Sequence, residues 1–407
     1  QAEDGIRDVE RSRGLGDVYK RQILSSTGEY KGWQVYKPIN IIGPDGIYTI
    51  EYYSVDNVEN KEQTKSITMK LDNTAPETNI TAGEPRYITE NKIYITPQTQ
   101  IELSSIDPVI NNVAVGVKTI KWRVDSGEWK VYEGTFTLIE GIRTVEYYAY
   151  DYLKNTEDIK TQVYHVDNTP PESNIVLGDP HCDGHSIEGV EHSTPVITSD
   201  TLLTINSNDP VVEGVASGVK NSKWRVANGK WSVYTEPFKI EGEDGEYKID
   251  YYSSDNVMNI EVMKTTTVIL DNTEPEVYLT FPSTANTGLC QLINGTVTVT
   301  GTVKDLHLEW YRLDYRGYEE EEWHTAISTK QRIVEDGELG RWNTTGLEDG
   351  WYVLKLIAED CVRNRAETEV EVYIGQPEKL LEVGKKGKED GEFNHPGYVA
   401  LDKEGNI

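Results

Sequence analysis

Three copies of one signature, Asp-Asn-Thr-x-Pro, constrain this chain more than any other feature. They stand at Asp72–Pro76, Asp167–Pro171 and Asp271–Pro275. From Asp72 to Asp167 is 95 residues, and from Asp167 to Asp271 is 104. Solenoid units are far shorter, whereas ~100 residues is the length of one β-sandwich domain. Each signature closes a longer repeated block. Trp33-Gln34-Val35-Tyr36, Trp129-Lys130-Val131-Tyr132 and Trp231-Ser232-Val233-Tyr234 lead to Tyr52-Tyr53, Tyr147-Tyr148 and Tyr251-Tyr252. An earlier signature, Lys121-Trp122-Arg123-Val124 and Lys223-Trp224-Arg225-Val226, precedes only the later two. The first copy is therefore expected to be truncated. A sheet without a facing sheet cannot close a core, so poor order in isolation is expected of it.

The segments inside each block read as strands. Tyr48, Ile50, Tyr52 and Ser54 alternate with polar positions such as Glu51. Tyr247, Ile249, Tyr251 and Ser253 repeat the pattern, and Tyr352, Leu354, Leu356 and Ala358 carry it into a fourth, divergent domain. A period of two with one apolar face predicts antiparallel strands on a half-solvated sheet. Asp45-Gly46, Asp244-Gly245 and Asp349-Gly350 supply tight turns before these strands. Tyr48, Tyr247 and Tyr352 fit a tyrosine corner, in which the hydroxyl donates to upstream backbone. Arg143 holds that place in the second repeat, whose corner must be held differently. Each strand runs into an Asp-x-x-x-Asn hairpin, at Asp56/Asn60, Asp151/Asn155, Asp255/Asn259 and Asp360/Asn364. There Asp is expected to form an Asx turn and Asn to adopt the left-handed conformation. A glutamate follows each, at Glu62, Glu157, Glu261 and Glu367. The prolines end strand pairing and stiffen short linkers, which predicts sandwiches arranged end to end.

The expected architecture is all-β: tandem immunoglobulin-like antiparallel β-sandwiches, with a partial domain at each end of the fragment. Residues 23–75 form the truncated repeat, 76–170 and 171–274 two whole repeats, and 275–376 the divergent Ig-like domain. Residues 377–407 are a charged linker and a further module's start. Residues 1–22 match nothing downstream and read as a non-native or disordered leader. The first residue is Gln, so the lack of a visible signal peptide carries little weight.

Taken together, these motifs resemble the OmpL47-type domain of bacterial and archaeal surface proteins. The carriers are the paired tryptophans, the Asp-Gly-x-Tyr turn, the Tyr-Tyr strand, Asp-x-x-x-Asn and Asp-Asn-Thr-x-Pro. Gly116-Val117 and Gly218-Val219 after Asp107-Pro108 and Asp209-Pro210 complete the set. The match covers about Gly32 to Pro275. Charged outward positions argue against a membrane barrel. Residues 391–407 resemble the first strands of an NHL repeat, which implies a propeller beyond. The resemblance implies an extracellular or cell-surface location.

With 69 acidic and 40 basic side chains the net charge is −29, which repels phosphate backbones and excludes nucleic acid as a natural partner. No apolar run is long enough for a membrane span. His181, Cys182, His185 and His192 form the richest polar cluster and offer ligands for Zn²⁺ or copper; the alternative is a solvated loop insertion. The Asp-Asn pairs at the joints, with nearby glutamates, are hard oxygen donors suited to structural Ca²⁺, unless they are only turn and cap residues. Cys290 and Cys361 are spaced like an Ig disulfide, but Ig topology puts these two positions at opposite poles, so free thiols are expected. No Gly-x-Ser-x-Gly elbow, His-Glu-x-x-His helix or phosphate loop is present. The expected role is non-enzymatic: spacer and adhesion modules that meet proteins or glycans at the cell surface. The alternative is the non-catalytic accessory region of a secreted surface hydrolase.

Overall fold

The computed structural model describes residues 18–25, 30–38, 40–187, 190–282, 292–375, 385–386 and 392–393. Strands occupy the segments where alternation predicts them, and no helix occurs among the described residues. The chain divides into two compact units. The first runs to Ser173 and adds Ser207–Ser222 and Tyr252–Val262; the second takes Asn174–Asn206, Lys223–Tyr251 and the chain from Met263 onward.

In the first unit, the first repeat is one four-stranded antiparallel sheet. Its order is Tyr30–Val35, Val18–Ser25, Gly46–Val55, Lys65–Leu71. Val18–Gln22, set apart by composition as leader, pair with Gly46–Val55 and belong to this sheet. Arg21 and Gln22 are buried within it, and the Gln22 amide donates to Glu51 Oε2 at 2.5 Å. No second layer covers the sheet among the described residues, and Ile67 and Met69 remain 45% and 39% exposed. The second repeat has both layers. Glu77–Ala82 pairs with Ile101–Ile106, and a six-stranded sheet faces them. Ala82, Ile101 and Leu103 from the small sheet meet Ile95, Val145, Tyr147, Tyr164 and Val166 from the large one.

The second unit holds the core of the third repeat, where Leu203 packs with Ile197, Ile249, Val268 and Leu270. It also holds the fourth sandwich. There a three-stranded sheet (Glu276–Phe281, Thr296–Lys304, Val334–Asn343) lies against a five-stranded one. Trp342, Leu339 and Val299 fill the space opposite Tyr311, Leu313, Leu354 and Leu356. Burying each such side chain contributes about 1.5–3 kcal/mol. Pairing is not wholly antiparallel. Ile93–Ile95, Val196–Ile197 and Leu292–Ile293 each run parallel to their domain's last strand. This short parallel strand appears in all three, although the fourth sandwich divides its strands five and three where the second and third repeats divide theirs six and two.

The turn chemistry is local and recurrent. Tyr48, Tyr247 and Tyr352 donate their hydroxyls to the carbonyls of Pro44, Glu243 and Glu348, at 2.8, 2.9 and 3.1 Å. Arg143 serves the same corner in the second repeat, its Nε donating to Ile139 O at 3.1 Å. The hairpins close as expected in one respect. Asp151 and Asp255 Oδ1 accept from the backbone of Asn155 and Asn259, both at 2.8 Å. The left-handed residue, however, is not the asparagine. It is the one before it: Glu59, Lys154, Met258 and Arg363, with φ of 72–74°. The asparagine is not among the left-handed residues, and its Nδ2 donates to Oδ2 of the hairpin aspartate, at 2.7 Å for Asn155, Asn259 and Asn364.

Candidate functional site: carboxylate clusters at the repeat joints

Three chain positions meet at each joint. The aspartate of Asp-Asn-Thr arrives from the repeat just ended. The next repeat contributes an aspartate just after the second strand of its smaller sheet and the aspartate of its Asp-x-x-x-Asn hairpin. This brings together Asp72, Asp107 and Asp151 at the first joint, and Asp167, Asp209 and Asp255 at the second, with donor atoms within 4.8 Å of one another. At the third joint the set is Asp271, Asp305 and His307.

Each aspartate is placed by backbone donors. Thr169 N donates to Asp167 Oδ1 at 3.1 Å, and Ser217 N to Asp167 Oδ2 at 2.6 Å. Gly218 N donates to Asp209 Oδ2 at 2.7 Å. The first joint repeats these bonds through Thr74, Val115 and Gly116. The asparagine side chains lock the arrangement. Asn155, Asn259 and Asn364 Nδ2 donate to the carbonyls of Asp72, Asp167 and Asp271, at 3.0, 3.1 and 3.1 Å. The same amides donate to Asp151, Asp255 and Asp360 Oδ2, so each asparagine ties its own hairpin to the preceding repeat. The Asp-Gly turn joins the same system, because Asp45 Oδ1 accepts from Asn73 N at 2.8 Å and Asp244 Oδ1 from Asn272 N at 2.9 Å.

Burial sets the electrostatics. It raises the Asp209 carboxyl to about 6; the Gly218 amide opposes the rise, and the charges of Asp167 and Asp255 add to it. Burial likewise raises Asp72 and Asp255 above the usual carboxylate range. At the third joint His307 replaces the backbone donor and bonds Asp271 Oδ2 through Nδ1. Burial opposes its charge, but the Asp271 bond and the charges of Asp271, Asp305 and Asp360 outweigh that and raise its pKa. A cation whose folded pKa is raised stabilises fully below its unfolded value, ~6.5, and the benefit is lost as pH rises through the folded value. The stability difference between the full chain and His307→Gln, measured by urea unfolding, is therefore expected to shrink as pH rises from 6 to 9. A difference independent of pH would show that His307 carries no charge here.

Other sequence expectations fall differently. Cys182 is bonded to Cys361, with Cα atoms 5.9 Å apart, so it offers no thiolate to a metal and Cys361 is not a free thiol. The pairing could not be read from spacing, because it links the third repeat to the fourth domain rather than two strands of one sandwich. His181 Nδ1 lies 2.9 Å from Gly178 O and its ring is flanked by Asp179 and Asp183. His185 and His192 are cross-strand partners in backbone register, and their side chains lie outside the described residues, as do Cys290 and all but Glu392 and Phe393 of the stretch 391–407 that resembles an NHL repeat. The glutamates that follow the hairpins are not among the joint carboxylates. Glu157 accepts from Thr78 N at 3.0 Å and Ala149 N at 2.7 Å, tying the two sheets of one sandwich together. Sequence reasoning missed His307 and treated Asp107, Asp151, Asp209 and Asp255 only as motif and turn residues. The available signal was that an aspartate recurs at three points of each copy.

No family model and no curated protein matches the chain. Among solved structures it is similar to the tetra-tandem repeat in the extending region of a large adhesion protein, at 16% identity and a TM-score of 0.35, covering 89% of this chain and 92% of that one. It is also similar to a structure concerning host cell surface retention of a 1.5-MDa bacterial ice-binding adhesin, at 11% identity and 0.32, covering 74% and 99%. Fibronectin(III)-like modules of Clostridium thermocellum CbhA match at 16% and 0.26, covering 49% and 93%. The chain is a tandem array of Ig-like β-sandwiches by its own strand order and cores.

Proposed function

We propose that this chain is a non-enzymatic, extracellular or cell-surface modular protein whose OmpL47-like repeats act as spacers and as adhesion modules for proteins or glycans. The observation that carries the reading is the Cys182–Cys361 disulfide, which crosses from one repeat to the next. Structural disulfides persist in oxidising compartments and are rare in a reducing cytosol. The joints support the same reading, since their polar side chains are spent on fixing one repeat against the next. A spacer needs that, and a catalytic cleft would need such groups left free to react.

Thiol labelling of the secreted, full-length chain tests the location. One reactive thiol after denaturation without reductant is expected from the three cysteines, and three would place the chain in a reducing compartment. A panel of glycans and peptides tests the role. Retention of a glycan or protein without turnover is expected, and hydrolysis by the purified chain would refute the non-enzymatic reading.

A further inference from the structure

We propose that the two carboxylate triads of the first unit, Asp72–Asp107–Asp151 and Asp167–Asp209–Asp255, each bind one hard divalent cation of the calcium class. Three observations carry this beyond the presence of acidic residues. First, all three carboxylates of the second triad are buried, with donor atoms within 4.8 Å. Like charges held so close in a low-dielectric setting repel strongly unless a counter-charge sits among them.

Second, Asp209 is only 8% exposed, and its Oδ1 is buried with no hydrogen-bond partner. The same orphan oxygen recurs on Asp107 in the other triad. Asp209 Oδ2 is held by Gly218 N, while Asp167 and Asp255 accept on both of their oxygens. A buried acceptor left without a donor is costly, and its recurrence at the same point of two repeats marks a ligand position.

Third, the molecule contains its own control. At the third joint His307 bonds Asp271, and no carboxylate oxygen of that cluster is orphaned. Where the chain supplies a cationic side chain, the unpartnered oxygen disappears. The other two joints have a backbone amide in place of that imidazole.

The donor set selects the ion. Carboxylate oxygens alone suit hard cations, whereas zinc and copper favour nitrogen and sulfur. Ca²⁺ accepts irregular shells completed by water; Mg²⁺ demands near-octahedral geometry and gives up its water reluctantly.

The test uses the full oxidised chain in ~0.15 M KCl, where loosely held surface ions are screened. Calorimetric titration with Ca²⁺ is expected to show two sites per chain. The melting temperature is expected to rise by about 5 °C or more and to fall back with EDTA. Asp209→Asn is expected to leave one site, and Asp107→Asn with Asp209→Asn none, while far-UV circular dichroism stays that of the parent. Should a variant fail to fold, the parent's stoichiometry still decides: two bound Ca²⁺ uphold the proposal. No binding at millimolar Ca²⁺, or binding unchanged in the double variant, would overturn it and leave the triads as proton-sharing carboxyl groups.

Discussion

Glu261→Ala is expected to destabilise the third repeat by about 3–5 kcal/mol, on the scale of breaking a buried charged network. Glu261 is 7% exposed. Its carboxylate accepts from Ser253 N at 2.7 Å and Ser173 N at 3.1 Å, and it also bonds the Ser173 hydroxyl. Ser253 lies on the central strand of one sheet and Ser173 on the first strand of the other, so one side chain spans the sandwich at its pole. Truncation strands these donors in a dry place, and each buried group left unsatisfied costs about 1–3 kcal/mol. Glu261→Gln keeps an acceptor and is expected to cost less. Glu62 gives the contrast. It accepts from Ser54 N at 2.8 Å and pairs with Lys65 at 3.0 Å, in a sheet with no facing layer among the described residues. Its replacement by alanine is expected to cost under about 1 kcal/mol, as for other exposed pairs. Urea midpoints of the full chain check both. Equal small losses at Glu62 and Glu261 would mean that water replaces the carboxylate in the sandwich.

Reduction of the Cys182–Cys361 bond is expected to cost about 2–4 kcal/mol, with the double variant Cys182→Ala, Cys361→Ala giving the same loss. The bond closes a ring over a separation of 179 residues, and long rings restrict the unfolded chain most. The ring takes in the third repeat and the fourth sandwich together. Breaking it is therefore expected to split one unfolding transition into two, since each has its own core. Unfolding followed by tryptophan fluorescence with and without reductant reads both effects. Identical curves would show that the bond adds nothing to stability.

The proposed cation and the His307 charge pull the joints in opposite pH directions. Without a metal, Asp209, raised to about 6 by burial, costs stability progressively as pH climbs from its unfolded value, ~3.9, to about 6, and binding of a cation removes the cost. His307 loses its contribution over a range that starts near its unfolded value. The joints thus look alike in backbone and differ in chemistry.

What the sequence alone determined is whatever closes within a few residues or follows a strict period. Alternation along Tyr247–Ser253 defined a buried and a solvated face, and side-chain geometry enforces that in any pleated strand. The tyrosine corner reaches four residues back, from Tyr48 to Pro44, and Asp56 reaches four forward to Asn60; both are visible as fixed spacings. Tandem sandwiches followed from these and from the spacing of Asp72, Asp167 and Asp271. The tertiary structure decided what lies far apart in the chain. Asn259 meets Asp167 across 92 residues, Ser173 meets Glu261 across 88, and Cys182 meets Cys361 across 179. No local spacing encodes such meetings. They depend on how two sheets pack and how one repeat seats on the next, and burial at those places is what turns ordinary turn aspartates into a charged cluster that calls for a counter-ion.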